Sequence, residues 1–281
     1  MNKKDLKRQI KTAHFFAGGG GGILASEILG HESVLAVEIN QRRCAILEER
    51  KSEGWFKSLE VECCDIREFD NEQWKGKVDC ISAGFPCQDI SSAGSGTGIK
   101  GEQSGLVFDL LKSIAIIQPG IVFLENSPNI RTRGRDVVIG ELMALGYSWR
   151  DGTLAAAHVG TGHLRNRWWC LAVNTSGKRC LQESKSILER AQYKSSKGVV
   201  DPKILFSQQL THAIERGGLS RDDTEIIRDG AIYTGRFGWS PPDAGVCRVV
   251  DGLASRVDRI KTCGDGQVPL QAALAWLLLS A

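Results

Sequence analysis

The sequence predicts an α/β fold in which a doubly wound, mostly parallel sheet is joined to a second, smaller domain. Short apolar runs of strand length alternate with helical runs between residues 12 and 145. Polar residues recur directly after those apolar runs, and residues 175–244 are polar, basic and serine-rich with little periodicity. We therefore divide the chain into a first domain (1–174), an inserted region (175–244) and a return to the first domain (245–281).

The first strand, 12–17, runs into five consecutive glycines, 18–22, and then into a helical run that ends at Gly30. Glycines permit positive φ and a close approach of a ligand, and the amino terminus of the following helix favours negative charge. This pattern predicts a cofactor cradle. Its spacing is neither a dinucleotide fingerprint nor a phosphate loop, so a purely structural glycine turn stays an alternative.

Acidic residues follow the next two strands. Glu38 lies near the end of strand 34–39, Asn40 can cap the helix after it, and strand 59–64 ends at Asp65. In nucleoside-binding sheets a carboxylate at such a position accepts hydrogen bonds from ribose hydroxyls, although Glu38 can also be a solvated strand-end residue. The glycine turn and the two acids share one sheet edge, which predicts a cofactor that contains a nucleoside.

The segment Gly84-Phe85-Pro86-Cys87-Gln88 follows a fourth apolar strand, 78–83. Glycine and proline end the strand abruptly, so the Cys87 sulfur is expected at the carboxyl edge, where open α/β sheets bind ligands. Cys87 is a candidate nucleophile, and a buried structural cysteine is the alternative. The glycine- and serine-rich stretch 91–105 is longer than a plain connector and predicts a lid.

A second acid reaches the same edge. A helix over 106–117 precedes a strand at 121–124, which is followed by Glu125 and Asn126. After a helix at 136–145 the pattern predicts antiparallel strands at 148–157 and 168–173, with Arg165 and Arg167 leading into the second. Residues two apart on a strand share a face, and two guanidinium groups suit a carboxylate, a phosphate or a base carbonyl. An edge charged against aggregation is the alternative interpretation.

The composition is that of an ordinary globular protein. The 281 residues are 42% hydrophobic and carry a formal charge of +3, which permits nucleic-acid binding without requiring it. No apolar run approaches the roughly 20 residues that span a bilayer, and the basic start lacks the apolar segment of a signal peptide. The nine cysteines include no C-x-x-C pair. We expect an intracellular protein without a membrane segment or a metal site.

Taken in order, these motifs resemble the cytosine-5 DNA methyltransferases of bacteria and phages. The resemblance covers about residues 12–174 and 245–281. Its motifs are Phe16-Ala17-Gly18, Glu38, Asp65, Gly84-Phe85-Pro86-Cys87-Gln88, Glu125-Asn126, Arg165-x-Arg167 and Gly264-Asp265-Gly266-Gln267-Val268-Pro269.

The resemblance implies S-adenosylmethionine as the cofactor and S-adenosylhomocysteine as its product. The implied cofactor-binding residues are Phe16, Ala17, Gly18, Gly20, Gly21, Glu38, Asp65, Ile66, Phe85, Pro86 and Asp265. The implied catalytic residues are Cys87, which adds to carbon 6 of cytosine, and Glu125, Arg165 and Arg167, which bind the ring. Phe85, Gln88, Ser91 and Asn126 are the implied substrate-binding residues. Asp265 departs from the family, which usually has asparagine there.

The implied partner is double-stranded DNA, from which the target cytosine is flipped, and we expect a monomer. Residues 175–244 correspond to the target recognition region of the family, and their shortness predicts a small recognition domain and a short motif. The expected setting is restriction-modification in a bacterial cytoplasm or in a phage-infected host. Two alternatives stay open: an RNA (tRNA) cytosine-5 methyltransferase, and a catalytically silent DNA-binding protein of the same fold.

Overall fold

The computed structural model describes residues 9–86, 105–159, 164–175 and 266–280. Within these ranges the strands are β1 (Lys11–Phe15), β2 (Glu32–Val37), β3 (Glu60–Glu62), β4 (Cys80–Gly84), β5 (Ile121–Asn126), β6 (Tyr147–Ala155) and β7 (Asn166–Asn174). They form one sheet in the order β3-β2-β1-β4-β5-β7-β6.

The sheet is parallel from β3 to β5, and β7 runs antiparallel to both of its neighbours, β5 and β6. The predicted doubly wound, mostly parallel class is confirmed. The second domain, predicted at 175–244, lies outside the described residues. Because β7 is antiparallel, its amino end lies at the edge where the parallel strands have their carboxyl ends. Side chains near the start of β7 therefore reach that edge.

Helices cover both faces of the sheet. They are α1 (Gly21–Ile28), α2 (Gln41–Ser52), α3 (Leu106–Ile117), α4 (Ile130–Arg133), α5 (Arg135–Ala144) and α6 (Pro269–Ser280), with short 3-10 helices at Glu72–Trp74 and Ala156–Val159. Alternate residues of β4 divide between two cores, since Ile81 and Ala83 pack with α3 and α5 whereas Cys80 packs with α1 and α6. No helix in the described part of the chain is long and apolar enough to cross a bilayer.

Local sequence explains where several helices begin and end. The Asn40 side chain accepts hydrogen bonds from the backbone N–H groups of Arg42 (3.0 Å) and Arg43 (3.2 Å), so its predicted role as the cap of α2 is confirmed. Helix α3 ends at Ile117, and the residue that caps it, Gln118, takes a left-handed conformation (φ 53°) directly before Pro119. The helix after the glycine turn begins at Gly21, two residues earlier than the apolar pattern predicts.

The prediction that Arg165 and Arg167 share one strand is wrong. Strand β7 begins at Asn166, and Arg165 precedes it with a positive φ of 28°. The side-chain amide of Gln271 on α6 donates hydrogen bonds to the carbonyls of Leu154 (2.7 Å) and Arg165 (3.0 Å). The Arg165 carbonyl also accepts a hydrogen bond from the backbone N–H of Ala156 (3.3 Å), so it is held between α6 and the residue that follows β6.

Candidate active site

A cavity of about 290 Å³ opens at the carboxyl edge of the sheet. Segments that follow all five parallel strands line it, together with the start of β7 and the residues just before α6. The predicted site residues among its lining are Phe16, Ala17, Gly18, Glu38, Asp65, Ile66, Phe85, Pro86, Glu125, Asn126 and Arg167. The sheet topology thus brings these residues from six separate motifs to one place, as the sequence predicts.

Glu38 is buried and holds the glycine turn. One carboxylate oxygen, Oε2, accepts a hydrogen bond from the backbone N–H of Gly18 (2.7 Å), and Oε1 accepts one from the backbone N–H of Asn40 (2.9 Å). Gly18 has a φ of 59°, in the region that glycine adopts without strain. Each carboxylate oxygen can accept a second hydrogen bond, so Glu38 can fix the turn and bind a ligand hydroxyl together.

Two of the predicted cofactor residues lie behind the turn rather than in the cavity lining. Gly20 precedes α1 with a φ of 93°, and a Cβ added there would lie 3.0 Å from the side chain of Leu47. A Cβ added at Gly21 would lie 2.2 Å from the backbone carbonyl oxygen of Gln267. Both glycines are therefore needed for the path and packing of the backbone.

Asp65 and Ile66 lie beyond the end of β3. Both the backbone N–H and the Nε of Arg67 donate to Oδ1 of Asp65 at 2.9 Å. These hydrogen bonds from Arg67 lower the pKa of Asp65 and keep it ionised. Ile66 is buried, whereas Ile39 at the same cavity is 63% exposed and presents an apolar surface beside the two acids Glu38 and Asp65.

Glu125 at the end of β5 pairs with Arg167 near the start of β7. The Arg167 Nε lies 2.9 Å from Glu125 Oε1, and the two side chains are 25% and 9% exposed. Burial raises the pKa of Glu125, and the nearby guanidinium groups of Arg167 and Arg165 offset only part of that effect. A buried carboxyl with a raised pKa can hold a proton and donate it in a hydrogen bond.

Arg165 and Asn126 order the walls of the site. The Arg165 guanidinium donates to the carbonyl of Gly266 and is not among the residues that line the cavity. Asn126 is buried, and its Nδ2 donates to the carbonyl of Phe85 at 3.1 Å. The end of β5 thereby holds the backbone of the segment that leads to the predicted nucleophile.

Four predicted site residues fall outside the described ranges: Cys87, Gln88, Ser91 and Asp265. So do residues 91–104 of the predicted lid and residues 176–244 of the predicted recognition region. Their roles stay predictions. Phe85 and Pro86, the two residues before Cys87, line the cavity.

His14 and Gln267 are among the lining residues to which the sequence assigned no role. His14 in β1 is buried, its Nε2 lies 3.1 Å from Ser33 Oγ, and burial together with nearby His31 lowers its pKa to about 3, so its imidazole is neutral. Gln267, next to α6, lies against Gly22 and Gly84. The sequence signal for Gln267 is its place in the motif Gly264-Asp265-Gly266-Gln267-Val268-Pro269, which assigned no role to its side chain.

The sheet order and the cavity at its carboxyl edge define a doubly wound α/β protein. A solved structure with this fold is the Entamoeba histolytica methyltransferase EhMeth, which superposes with a TM-score of 0.50 at 20% identity over 61% of this chain and 55% of that one. This likeness concerns the fold.

The family model of the C-5 cytosine-specific DNA methylases matches residues 10–221, and the chain belongs to this family. The family predicted from the motifs is thus confirmed. Among its relatives, the Type II methyltransferase M.CviJI of Paramecium bursaria Chlorella virus IL3A is 34% identical over 58% of this chain and 43% of its own length. The Type II methyltransferase M2.BsuMI of Bacillus subtilis (strain 168) is 31% identical over 83% of this chain and 60% of its own length. The chain therefore spans about half the length of these curated relatives.

Proposed function

We propose that this protein transfers a methyl group from S-adenosylmethionine to carbon 5 of a cytosine in double-stranded DNA. The observation that carries the proposal is the Glu125–Arg167 pair, a buried acid and a guanidinium at 2.9 Å in the same cavity as the glycine turn and Glu38. Membership of the C-5 cytosine-specific DNA methylase family and the Type II methyltransferases among its relatives support this reaction.

The donor set of the cavity fits S-adenosylmethionine. Glu38 retains acceptor capacity for ribose hydroxyls, Asp65 is an ionised acceptor, and the apolar side chains Phe16, Ile39 and Ile66 can cover the adenine. The carboxylates also suit the positive charge of a sulfonium group. When bound, S-adenosylmethionine supplies an activated methyl group to a nucleophilic carbon.

In the proposed mechanism the Cys87 thiolate forms a bond to carbon 6 of the cytosine. The electron pair of the 5,6 double bond moves between carbons 4 and 5, and the pair of the 3,4 double bond moves onto ring nitrogen 3, where the Glu125 carboxyl donates its hydrogen bond or proton. Carbon 5 of the resulting enamine is nucleophilic. After carbon 5 is methylated, a base removes its proton. The electron pair of that carbon–hydrogen bond restores the 5,6 double bond, and the Cys87 thiolate leaves. A proton that Glu125 has given to ring nitrogen 3 returns to Glu125.

The two arginines hold other parts of the active site in position. Arg167 holds one oxygen of Glu125, so the carboxyl keeps a fixed direction toward the cavity. Arg165 donates to the Gly266 carbonyl and orders the wall beside it. We propose residues 175–244 as the recognition region that binds phosphates and base edges. The target base must also leave the stack, since Cys87 cannot reach it within the duplex.

The test is incubation of the protein with labelled S-adenosylmethionine and duplex DNA, followed by bisulfite sequencing. We expect 5-methylcytosine within a short motif, and loss of the product in Cys87→Ser. Transfer to transfer RNA but not to DNA would replace the proposal with RNA methylation. DNA binding without transfer to either nucleic acid would contradict an enzymatic role.

A further inference from the structure

Gln267 occupies a slot formed by three glycines from two separate segments. A Cβ added at Gly21 would lie 2.2 Å from the Gln267 carbonyl oxygen, and one at Gly22 would lie 2.5 Å from its Oε1. A Cβ at Gly84, the last residue of β4, would lie 3.0 Å from its Nε2. Real Cβ atoms do not approach as closely as the first two distances, and the third is tighter than most Cβ contacts. Gln267 fits because these three positions lack a side chain.

The two ends of the Gln267 amide have different environments. Its side chain is hydrogen-bonded to Glu125, and Gly84 faces both Gln267 Nε2 and the Oε2 of Glu125. Its Oε1 is buried and has no hydrogen-bond partner among the residues that the structure describes. A buried amide oxygen without a partner destabilises a fold, and an apolar side chain of similar volume would fill the slot without that cost. Stability therefore does not explain why residue 267 is a glutamine. The contact of its amide with Glu125 does explain it.

We infer that Gln267 is a positioning residue for Glu125: its amide holds the second oxygen of the carboxyl that Arg167 holds by the first. Arg167 Nε lies 2.9 Å from Oε1 of Glu125. Gln267 Nε2 and Oε2 of Glu125 both lie next to Gly84, 3.0 and 2.8 Å from the position of an added Cβ. Donors on both sides prevent rotation of the carboxyl group and fix the direction in which it meets a cytosine ring. The inference rests on the proposed function for its consequence in catalysis.

Gln267 also affects the charge state of the acid. An amide N–H that donates to Glu125 favours the carboxylate and lowers its pKa, against the larger, opposite effect of burial. Removal of this donor should therefore raise the pKa of Glu125 further. A residue that only fills space would leave that pKa unchanged.

The test compares Gln267→Leu, which keeps the volume and removes the amide, with two other variants. Gly22→Ala keeps glutamine at position 267 but adds a methyl group 2.5 Å from its Oε1. The amide end of the Gln267 side chain must therefore move. The matched control is Gln271→Leu, which removes a buried amide that donates to the Leu154 and Arg165 carbonyls. The titration of Glu125 is followed by NMR of protein with ¹³C-carboxyl glutamate, and Glu125→Gln assigns the signal.

We expect the Glu125 titration to move to higher pH in Gln267→Leu and in Gly22→Ala, and to stay at its wild-type midpoint in Gln271→Leu. In the methylation assay Gln267→Leu should lower kcat about 10-fold with KM changed less than about 2-fold, since orientation of the acid matters in the transition state. An unmoved titration in Gln267→Leu, or an equal shift in Gln271→Leu, would overturn the inference. Because the titration needs no activity, a wild-type protein that transfers no methyl group would contradict the proposed function separately.

Discussion

Replacement of Arg167 by methionine tests the buried pair at the centre of the site. The change keeps much of the side-chain length and removes the charge beside Glu125. Two unit charges about 4 Å apart attract by about 4 kcal/mol at an effective dielectric of about 20. Arg167 is 25% exposed, and solvent contact reduces this value, so we expect Arg167→Met to lower the free energy of unfolding by about 3 kcal/mol at pH 9.

The loss should shrink as the pH falls. Burial already raises the pKa of Glu125, and removal of Arg167 raises it further above the unfolded value. Between these values the folded state holds a proton that the unfolded state has released, so the stability of the variant falls as the pH rises. Below the raised pKa of Glu125 in the variant, the acid is neutral in the folded state, and only a hydrogen bond of about 1 kcal/mol is lost.

The assay is urea denaturation of wild type and Arg167→Met between pH 5 and pH 9. Glu125→Gln in the same background should restore most of the loss at pH 9, because it removes the unpaired charge. Arg135→Met is the matched control, since Arg135 and Asp151 form a pair of similar burial. There burial is outweighed by hydrogen bonds from Arg135 and Trp168, which lower the pKa of Asp151. The loss in this control should hardly vary between pH 5 and pH 9, and a constant loss in Arg167→Met would refute the reasoning.

Three further variants test the walls of the cavity. Glu38→Gln replaces an acceptor oxygen with a donor beside a backbone N–H and should weaken S-adenosylmethionine binding about 10-fold or more by calorimetry, whereas equal affinity would contradict the role of Glu38. Gly21→Ala meets the backbone of Gln267 and should lower the free energy of unfolding by about 1–3 kcal/mol, measured in urea against Gly140→Ala, which has open space. Asn126→Ala should cost about 1–3 kcal/mol because the Phe85 carbonyl loses its donor, and an unchanged midpoint would argue against that contact.

The sequence by itself determined the fold class and the edge at which the polar residues meet. Parallel strands appear in the sequence as apolar runs because both faces of the sheet are buried. Since the strands point the same way, polar residues that follow each run lie at one edge. The cap at Asn40 and the end of α3 before Pro119 were local signals of the same kind. The sequence therefore places Glu38, Asp65 and Glu125 at one edge of the sheet, where they line the same cavity.

Only the tertiary structure decided which side chains contact one another within that cavity. Arg165 and Arg167 look equivalent by spacing, yet Arg167 pairs with Glu125 while Arg165 lies outside the strand and donates to Gly266. The contact of Gln267 with Gly21 likewise joins opposite ends of the chain. The physical reason is that strand order, and the antiparallel insertion of β7 between β5 and β6, depends on the packing of the whole sheet. Periodicity and local propensity report only on neighbours in sequence.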